Sequence, residues 1–156
     1  MPGRLQAEIR QTKPFHGPEQ EAFLNVVRTA DALMQGMATA LKPFGLSPTQ
    51  YNVLRILRGA GPAGLACREI AARMLTRDPD ITRLLDRMEA RRLVTRSRDR
   101  KDRRVITIRI TEGGLEMVNN LDAPVTELHR RILGHLGSSK LRTLISLLEA
   151  ARARIP

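Results

Sequence analysis

Residues 68–110 read REIAARMLTRDPDITRLLDRMEARRLVTRSRDRKDRRVITIRI, and their patterning decides the architecture. Ile70, Ala71 and Met74 give one apolar stripe, so the spacing predicts a short helix from about Arg68 to Leu75. In the Thr76-Arg77-Asp78-Pro79 that follows, Asp78 has the side chain of a helix N-cap and Pro79 suits the first helical position. The next helix, to about Arg91, carries Ile81, Leu84, Leu85 and Met88 on one stripe. Leu93–Ser97 and Val105–Ile110 then read as strands, the second alternating Ile106, Ile108 and Ile110 against Val105, Thr107 and Arg109. Between them Arg98–Arg104 is a polar loop with five bases and two acids. The order is helix, tight connection, helix, two-stranded hairpin.

That order is the winged helix-turn-helix arrangement, in which the second helix enters a DNA major groove and the hairpin tip reaches backbone or minor groove. With the apolar stripe buried, about 100° per residue puts Arg83, Asp86, Arg87 and Ala90 on the opposite face, with Thr82 flanking. Arg77, Thr82 and Arg83 lie near the end of the helix where free N–H groups and the dipole favour phosphate. Residues 76–104 hold eleven bases against six acids, a net +5 within a chain whose formal charge is +11. Such a balance favours polyanions, chiefly nucleic acid, with an anionic membrane surface as the competitor. Charge alone also fits a solvated helix face. The 27 basic residues are almost all arginine, which forks bidentately onto phosphate or guanine.

The flanks read as helices. Residues 1–17, with Pro2, Gly3, Pro14 and Gly17, read as an irregular arm. Pro18, Glu19 and Glu21 open a long amphipathic helix through Phe23, Val27, Ala30, Met34, Met37 and Leu41. Lys42-Pro43-Phe44-Gly45 ends it, and Ser47-Pro48 starts another that carries Tyr51, Leu54 and Leu57 to the break at Gly59–Gly64. Thr111-Glu112-Gly113-Gly114 begins a C-terminal helix with Leu115, Val118, Leu121, Val125, Leu128, Ile132 and Leu136, in which Pro124 is expected to cause a kink or interruption. Gly137-Ser138 separates a last helix, capped by Ser138, whose apolar face is Leu141, Leu144, Ile145 and Leu148. The expected class is mainly α (α+β), in one compact domain after the arm.

Little in the sequence suggests catalysis. The single Cys67 excludes an intramolecular disulfide framework and fits a reducing cytosol. No apolar run approaches the roughly 18 residues that span a bilayer, and the charged N-terminus does not read as a secretory signal, so a cytoplasmic protein is expected. Cys67, near a helix start, is a candidate redox thiol, but a small buried apolar residue is the favoured reading. His129 and His135 are six apart, a spacing that does not align two ligands on a helix, and no phosphate-loop or metal-ligand motif accompanies them. Neither cofactor nor metal is expected.

Asp102-Arg103-Arg104-Val105-Ile106-Thr107-Ile108-Arg109-Ile110-Thr111-Glu112-Gly113-Gly114 resembles the wing signature of the MarR family, D-x-R-x-x-x-[VI]-x-[LI]-T-x-x-G. Gly45–Tyr51 and Asp78–Val94 are similar to that family's second helix and recognition helix, and the resemblance runs from about Pro18 to the C-terminus. It implies a homodimeric regulator of transcription, commonly a repressor, with 18–44 and 111–156 as dimerisation helices and 45–110 as the DNA-binding lobe. Two recognition helices would enter successive major grooves of a palindrome, with wing arginines in minor grooves. Asp102 and Arg104 would form the wing's ion pair. The expected DNA-binding set is Arg77, Thr82, Arg83, Asp86, Arg87, Arg98, Arg100, Lys101, Arg103 and Arg104. A small lipophilic or phenolic ligand is implied as the release signal, and Phe23, Met34, Met37, Phe44 and Tyr51 are candidates to line its pocket, although hydrophobic residues at helical spacing are more often core. The alternative is a basic architectural or membrane-surface protein without an operator.

Overall fold

The computed structural model describes residues 3–156. Its elements are α1 (Arg4–Glu8), α2 (Pro18–Leu41), α3 (Pro48–Ala60), β1 (Leu65–Ala66), α4 (Cys67–Arg73), α5 (Ile81–Ala90), β2 (Val94–Arg98), β3 (Ile106–Ile110), α6 (Glu112–Leu133) and α7 (Gly137–Arg152). Single 3-10 turns, Lys42–Phe44 and Gly134–Leu136, follow α2 and precede α7. This is a mainly helical fold with a small sheet.

The helix starts follow local chemistry. Glu19 and Glu21 occupy the first turn of α2 after Pro18. At α3 the Gln50 backbone N–H donates to Ser47 Oγ, and the Ser47 N–H donates to Gln50 Oε1, each at 3.1 Å. This reciprocal box satisfies two donors that a helix end otherwise leaves open. Thr111 caps α6 one-sidedly, its hydroxyl accepting from the Gly114 N–H at 3.0 Å.

The structure corrects several expectations. The helix at Asp78-Pro79 begins two residues later: Asp80 is the cap, its Oδ1 accepting from the Arg83 N–H at 3.1 Å. Asp78 Oδ1 instead accepts from the Asp80 N–H at 2.9 Å, closing an Asx turn around Pro79, which disfavours helical geometry at the residue before it. The arm at 1–17 contains α1, whose Leu5 is buried; Met1 and Pro2 lie outside the described residues. Pro124 sits inside an unbroken α6. Proline costs a helix about 3 kcal/mol, but Val118, Leu121, Val125 and Leu128 are all buried on its two sides. Each of those contributes about 1.5–3 kcal/mol by burial, so packing wins. No side chain caps α7, so Ser138 does not act there; the backbone enters from the 3-10 turn through Gly137 at φ 76°.

The expected two-stranded hairpin is a three-stranded antiparallel sheet in the order β1-β3-β2. Arg96 pairs with Ile108 on one side of β3, and Leu65 pairs with Ile108 on the other. Gly64, at φ 70°, lets the chain pass against β3: a Cβ there would collide with the Ile108 carbonyl.

The core lies in the middle of the chain. Leu54, Leu57, Ile70, Leu85, Met88, Ile108, Val118 and Leu121 are essentially inaccessible and form one cluster joining α3, α4, α5, the sheet and the first half of α6. The end helices are different. α2 buries only Leu41 and α7 buries nothing. Phe23, Val26, Val27, Ile145 and Leu147 are 50–67% exposed, a density of exposed apolar side chains that sets these helices apart from the lobe. Among the described residues no helix is long and apolar enough to cross a membrane.

Candidate nucleic-acid interface

Helix α5 is amphipathic in the sense the sequence implies. Leu84, Leu85 and Met88 are buried and Ile81 packs at the core's edge, while Thr82, Arg83, Asp86 and Arg87 are exposed. The helix is locked at its C-terminal end, where Arg92 takes the left-handed conformation (φ 59°) and the Leu93 N–H donates to the Met88 carbonyl at 3.0 Å. Arg91 reaches back and donates to the Gly45 carbonyl, tying α5 to the start of α3. Arg77 is exposed in the connection between α4 and α5.

The wing tip spans residues 99–105 and is built on its two acids. Asp99 Oδ1 accepts from the N–H groups of Lys101 (2.6 Å) and Asp102 (3.3 Å). Asp102 Oδ1 accepts from the Arg104 N–H at 3.0 Å and from Arg104 Nε at 3.2 Å. The Asp99 N–H donates to Val105 O and the Val105 N–H donates to Asp102 O. Both carboxylates therefore serve the backbone of the turn. Arg98, Arg100, Lys101, Arg103 and Arg104 all remain exposed, so the tip presents cations outward. Arg104, paired with Asp102, still has a side chain 92% accessible, so it is available to a phosphate as well.

Asp86 is not a free group. Arg96, on β2, places Nη2 2.6 Å from Asp86 Oδ1 and donates to the Thr82 carbonyl at 3.3 Å. Arg96 was not among the candidate site residues, yet a signal for it existed: two residues beyond buried Val94, it falls on the inward side of the strand.

The five candidate pocket residues separate. Met34, Met37 and Tyr51 line a cavity of about 240 Å³ between α2, α3 and α6, together with Leu33, Leu75 and Leu128. Phe23 and Phe44 do not line it. Phe23 is 67% exposed, three helical turns or about 16 Å along α2 from Met34. Phe44 turns into the core after α2 has ended. Burial pushes the Tyr51 phenol above its ordinary range, opposed by neighbouring Arg55, which with His129 forms the cavity's polar side. Cys67 is half-buried against the core, as a small apolar residue would be. Among the described residues no group of three or more His, Cys, Asp or Glu could hold a metal ion.

Among the described residues one charged pair ties α3 to α6. Arg58 on α3 forks onto both Asp122 oxygens (2.8 and 2.9 Å) and onto Asn119 Oδ1 (2.9 Å) on α6. The guanidinium, by hydrogen bonding, holds the Asp122 carboxyl below the usual carboxylate range, and Asp122 raises Arg58 in turn.

A capped reading helix with an outward cationic stripe, tied to a hairpin whose tip is cationic, defines a winged helix-turn-helix DNA-binding protein. Comparison with known proteins agrees. The sequence profile of the MarR family matches residues 44–105. A MarR transcription factor from Planctomyces limnophilus is 42% identical, with 87% of this chain and 98% of that one covered and a TM-score of 0.68. CouR from Rhodococcus jostii RHA1, solved bound to p-coumaroyl-CoA, is 26% identical over 91% of this chain and 99% of its own, at a TM-score of 0.73. The homoprotocatechuate degradative operon repressor of Escherichia coli is 27% identical over 80% of this chain and 82% of its own. The chain belongs to the MarR family and is a sequence-specific DNA-binding regulator of transcription.

Proposed function

We propose that the protein is a cytoplasmic homodimeric repressor that holds a palindromic operator until a small ligand releases it. The observation that carries this reading is the pairing of charge around α5 and the wing: cations face outward on the helix and the wing tip, while the acids beside them are engaged by Arg96 or by the backbone of the turn. Arg83 and Arg87 read base edges with Thr82 beside them. Arg77, Arg98, Arg100, Lys101, Arg103 and Arg104 supply phosphate or minor-groove attraction.

The second copy covers the end helices. α2, α6 and α7 leave an apolar groove of about 700 Å³ lined by Val26, Ala30, Leu133, Leu144, Ile145 and Leu148. A monomer in water has no use for such a surface. On this reading 18–44 and 111–156 dimerise and 45–110 binds DNA. The ligand occupies the cavity at Met34, Met37 and Tyr51, whose walls are apolar and whose polar side is Tyr51, Arg55 and His129. That chemistry suits a lipophilic or phenolic compound; CouR was solved bound to p-coumaroyl-CoA, and the Escherichia coli relative is a homoprotocatechuate degradative operon repressor. The cavity lies between the end helices and the lobe, so occupancy acts by changing the spacing of the two recognition helices.

A protection footprint on the DNA upstream of the protein's own gene tests this. Two protected half-sites related by a two-fold axis, about one helical turn apart, are expected. Uniform coating of operator and random duplex alike would mean an architectural protein instead.

A further inference from the structure

Of the two cations on β2, Arg96 is part-buried against α5 and Arg98 is exposed. The Arg96 side chain is 23% accessible, against 92% for that of Arg104 at the tip. Its Nη2 holds Asp86 Oδ1 at 2.6 Å and the Thr82 carbonyl at 3.3 Å, and its Nε, otherwise without a partner, lies 4.0 Å from Glu89 Oε2. Thr82, Asp86 and Glu89 fall within about 60° of one another around α5, on the flank that meets β2. Arg83 and Arg87 lie about 100–140° around from Thr82 and carry no ionic partner among the described residues. The wing root thus consumes the acids of α5 and leaves its arginines free.

We propose that Arg96 is a positioning residue for DNA recognition: it fastens β2 to the recognition helix and neutralises Asp86, without touching DNA itself. The proposal rests on the DNA-binding reading above and adds a division of labour to it. The two N–H groups of Nη2 serve the carboxylate and the carbonyl one helical turn apart, while the planar guanidinium holds Nε toward Glu89; a lysine ammonium has no second nitrogen to face both acids at once. With the fork in place, helix and wing approach DNA as one rigid unit, so the base-reading arginines and the tip cations meet their targets in a single register. Without it, the Asp86 carboxylate, 57% accessible, faces the phosphates uncompensated, and the wing can rotate about its own root.

The test compares wild type, Arg96→Met, Arg96→Lys, Asp86→Ala and the double variant Asp86→Ala/Arg96→Met. Each is titrated with the footprinted operator and with random duplex over a range of salt. The ratio of operator to random affinity is expected to fall about tenfold for either Arg96 variant, the size of one lost base-pair discrimination. The salt slope on random DNA is expected to stay unchanged. Asp86→Ala should give the same fall, and the double variant no more than either single. A slope reduced by about 0.9 would make Arg96 a phosphate contact and overturn the proposal. So would a change of preference at one base with Asp86→Ala alone, which would make Asp86 a base reader. A second readout needs no DNA. Thermal melts of the same variants form a double-mutant cycle, and the Asp86 and Arg96 effects should be coupled. Additive shifts would remove the clamp even if operator binding stood. A wild type with no operator preference but a coupled cycle would instead remove the operator reading and keep the clamp.

Discussion

The paired glycines of the wing signature make a prediction whose sign depends on one carbonyl. Gly113 and Gly114 occupy the second and third positions of α6, where alanine is ordinarily preferred by up to about 1 kcal/mol. Helix propensity alone therefore makes both Gly→Ala changes stabilising. The structure separates them. At Gly113 the nearest atoms a Cβ would meet are Thr111 Oγ1 at 3.8 Å and the Arg92 carbonyl at 4.0 Å, both ordinary contacts. At Gly114 a Cβ would collide with the Leu93 carbonyl oxygen and stand 3.0 Å from Ile110 Cγ1. That oxygen must retreat by about 1 Å to regain normal contact. It cannot do so freely, because it accepts from the Thr111 N–H at 3.0 Å and shares the Thr111 hydroxyl proton, at 3.1 Å, with the Arg92 carbonyl at 2.7 Å. Overpacking costs about 1–3 kcal/mol and each hydrogen bond lost about 1 kcal/mol more, against a propensity gain of about 1.

Gly114→Ala should therefore lose about 2–4 kcal/mol and Gly113→Ala should gain up to about 1 kcal/mol. For a chain of this size each kcal/mol moves Tm by about 2–4 °C, so the two variants should melt roughly 4–20 °C apart, with Gly114→Ala below wild type. Melts need a fixed protein concentration, because the proposed dimer would contribute to apparent stability. A Gly114→Ala protein as stable as wild type would refute the close approach of α6 to the start of β2. It would also refute the physical reason offered for glycine at the end of the signature.

Other perturbations follow from the same structure. Ser47→Ala removes the acceptor for the Gln50 N–H and should lower stability by about 1 kcal/mol, read by thermal melting; Gln50→Ala should act on the same box and add little to it. Arg58 holds Asp122 below the ordinary carboxylate range, so the pair's stabilisation is present above about pH 4 and lost as pH falls through the lowered folded-state pKa. Asp122→Asn should be less stable than wild type at neutral pH and flatter in acid denaturation below pH ~4; parallel curves would speak against it. Ile145→Asp places a charge in the apolar groove and should give a monomer in sedimentation, with operator affinity lost and the lobe's melting largely kept.

The lobe was legible because its signals are redundant. Ser47-Pro48 marks the start of α3 by cap and ring together, and the alternation of Ile106, Ile108 and Ile110 states a strand with one face in the core. The misses have physical causes. Asp78 and Asp80 flank Pro79 with equally good caps, and only the chain's path chooses the second. β1 is two residues long, too short for any period, and exists because β3 has an open edge. Pro124 looks like a break when read locally, but burial on both sides of it is a tertiary effect. Phe23 and Phe44 share the apolar character of Met34 and Tyr51, and apolarity does not say which residues face one cavity. Arg96 could have been found by counting alternation forward from Val94, where a charged residue on the inward face asks for a partner.

Competition binding of Arg83→Ala and Arg103→Ala, on operator and on random duplex across a salt series, bears on recognition at its root. Arg83→Ala should cost about 1–3 kcal/mol on the operator, little on random DNA, and relax preference at one base position. Arg103→Ala should weaken both DNAs alike and reduce the salt slope by about 0.9. Equal losses on both DNAs from both variants, with equal slopes, would contradict a reading helix and a charge-anchoring wing.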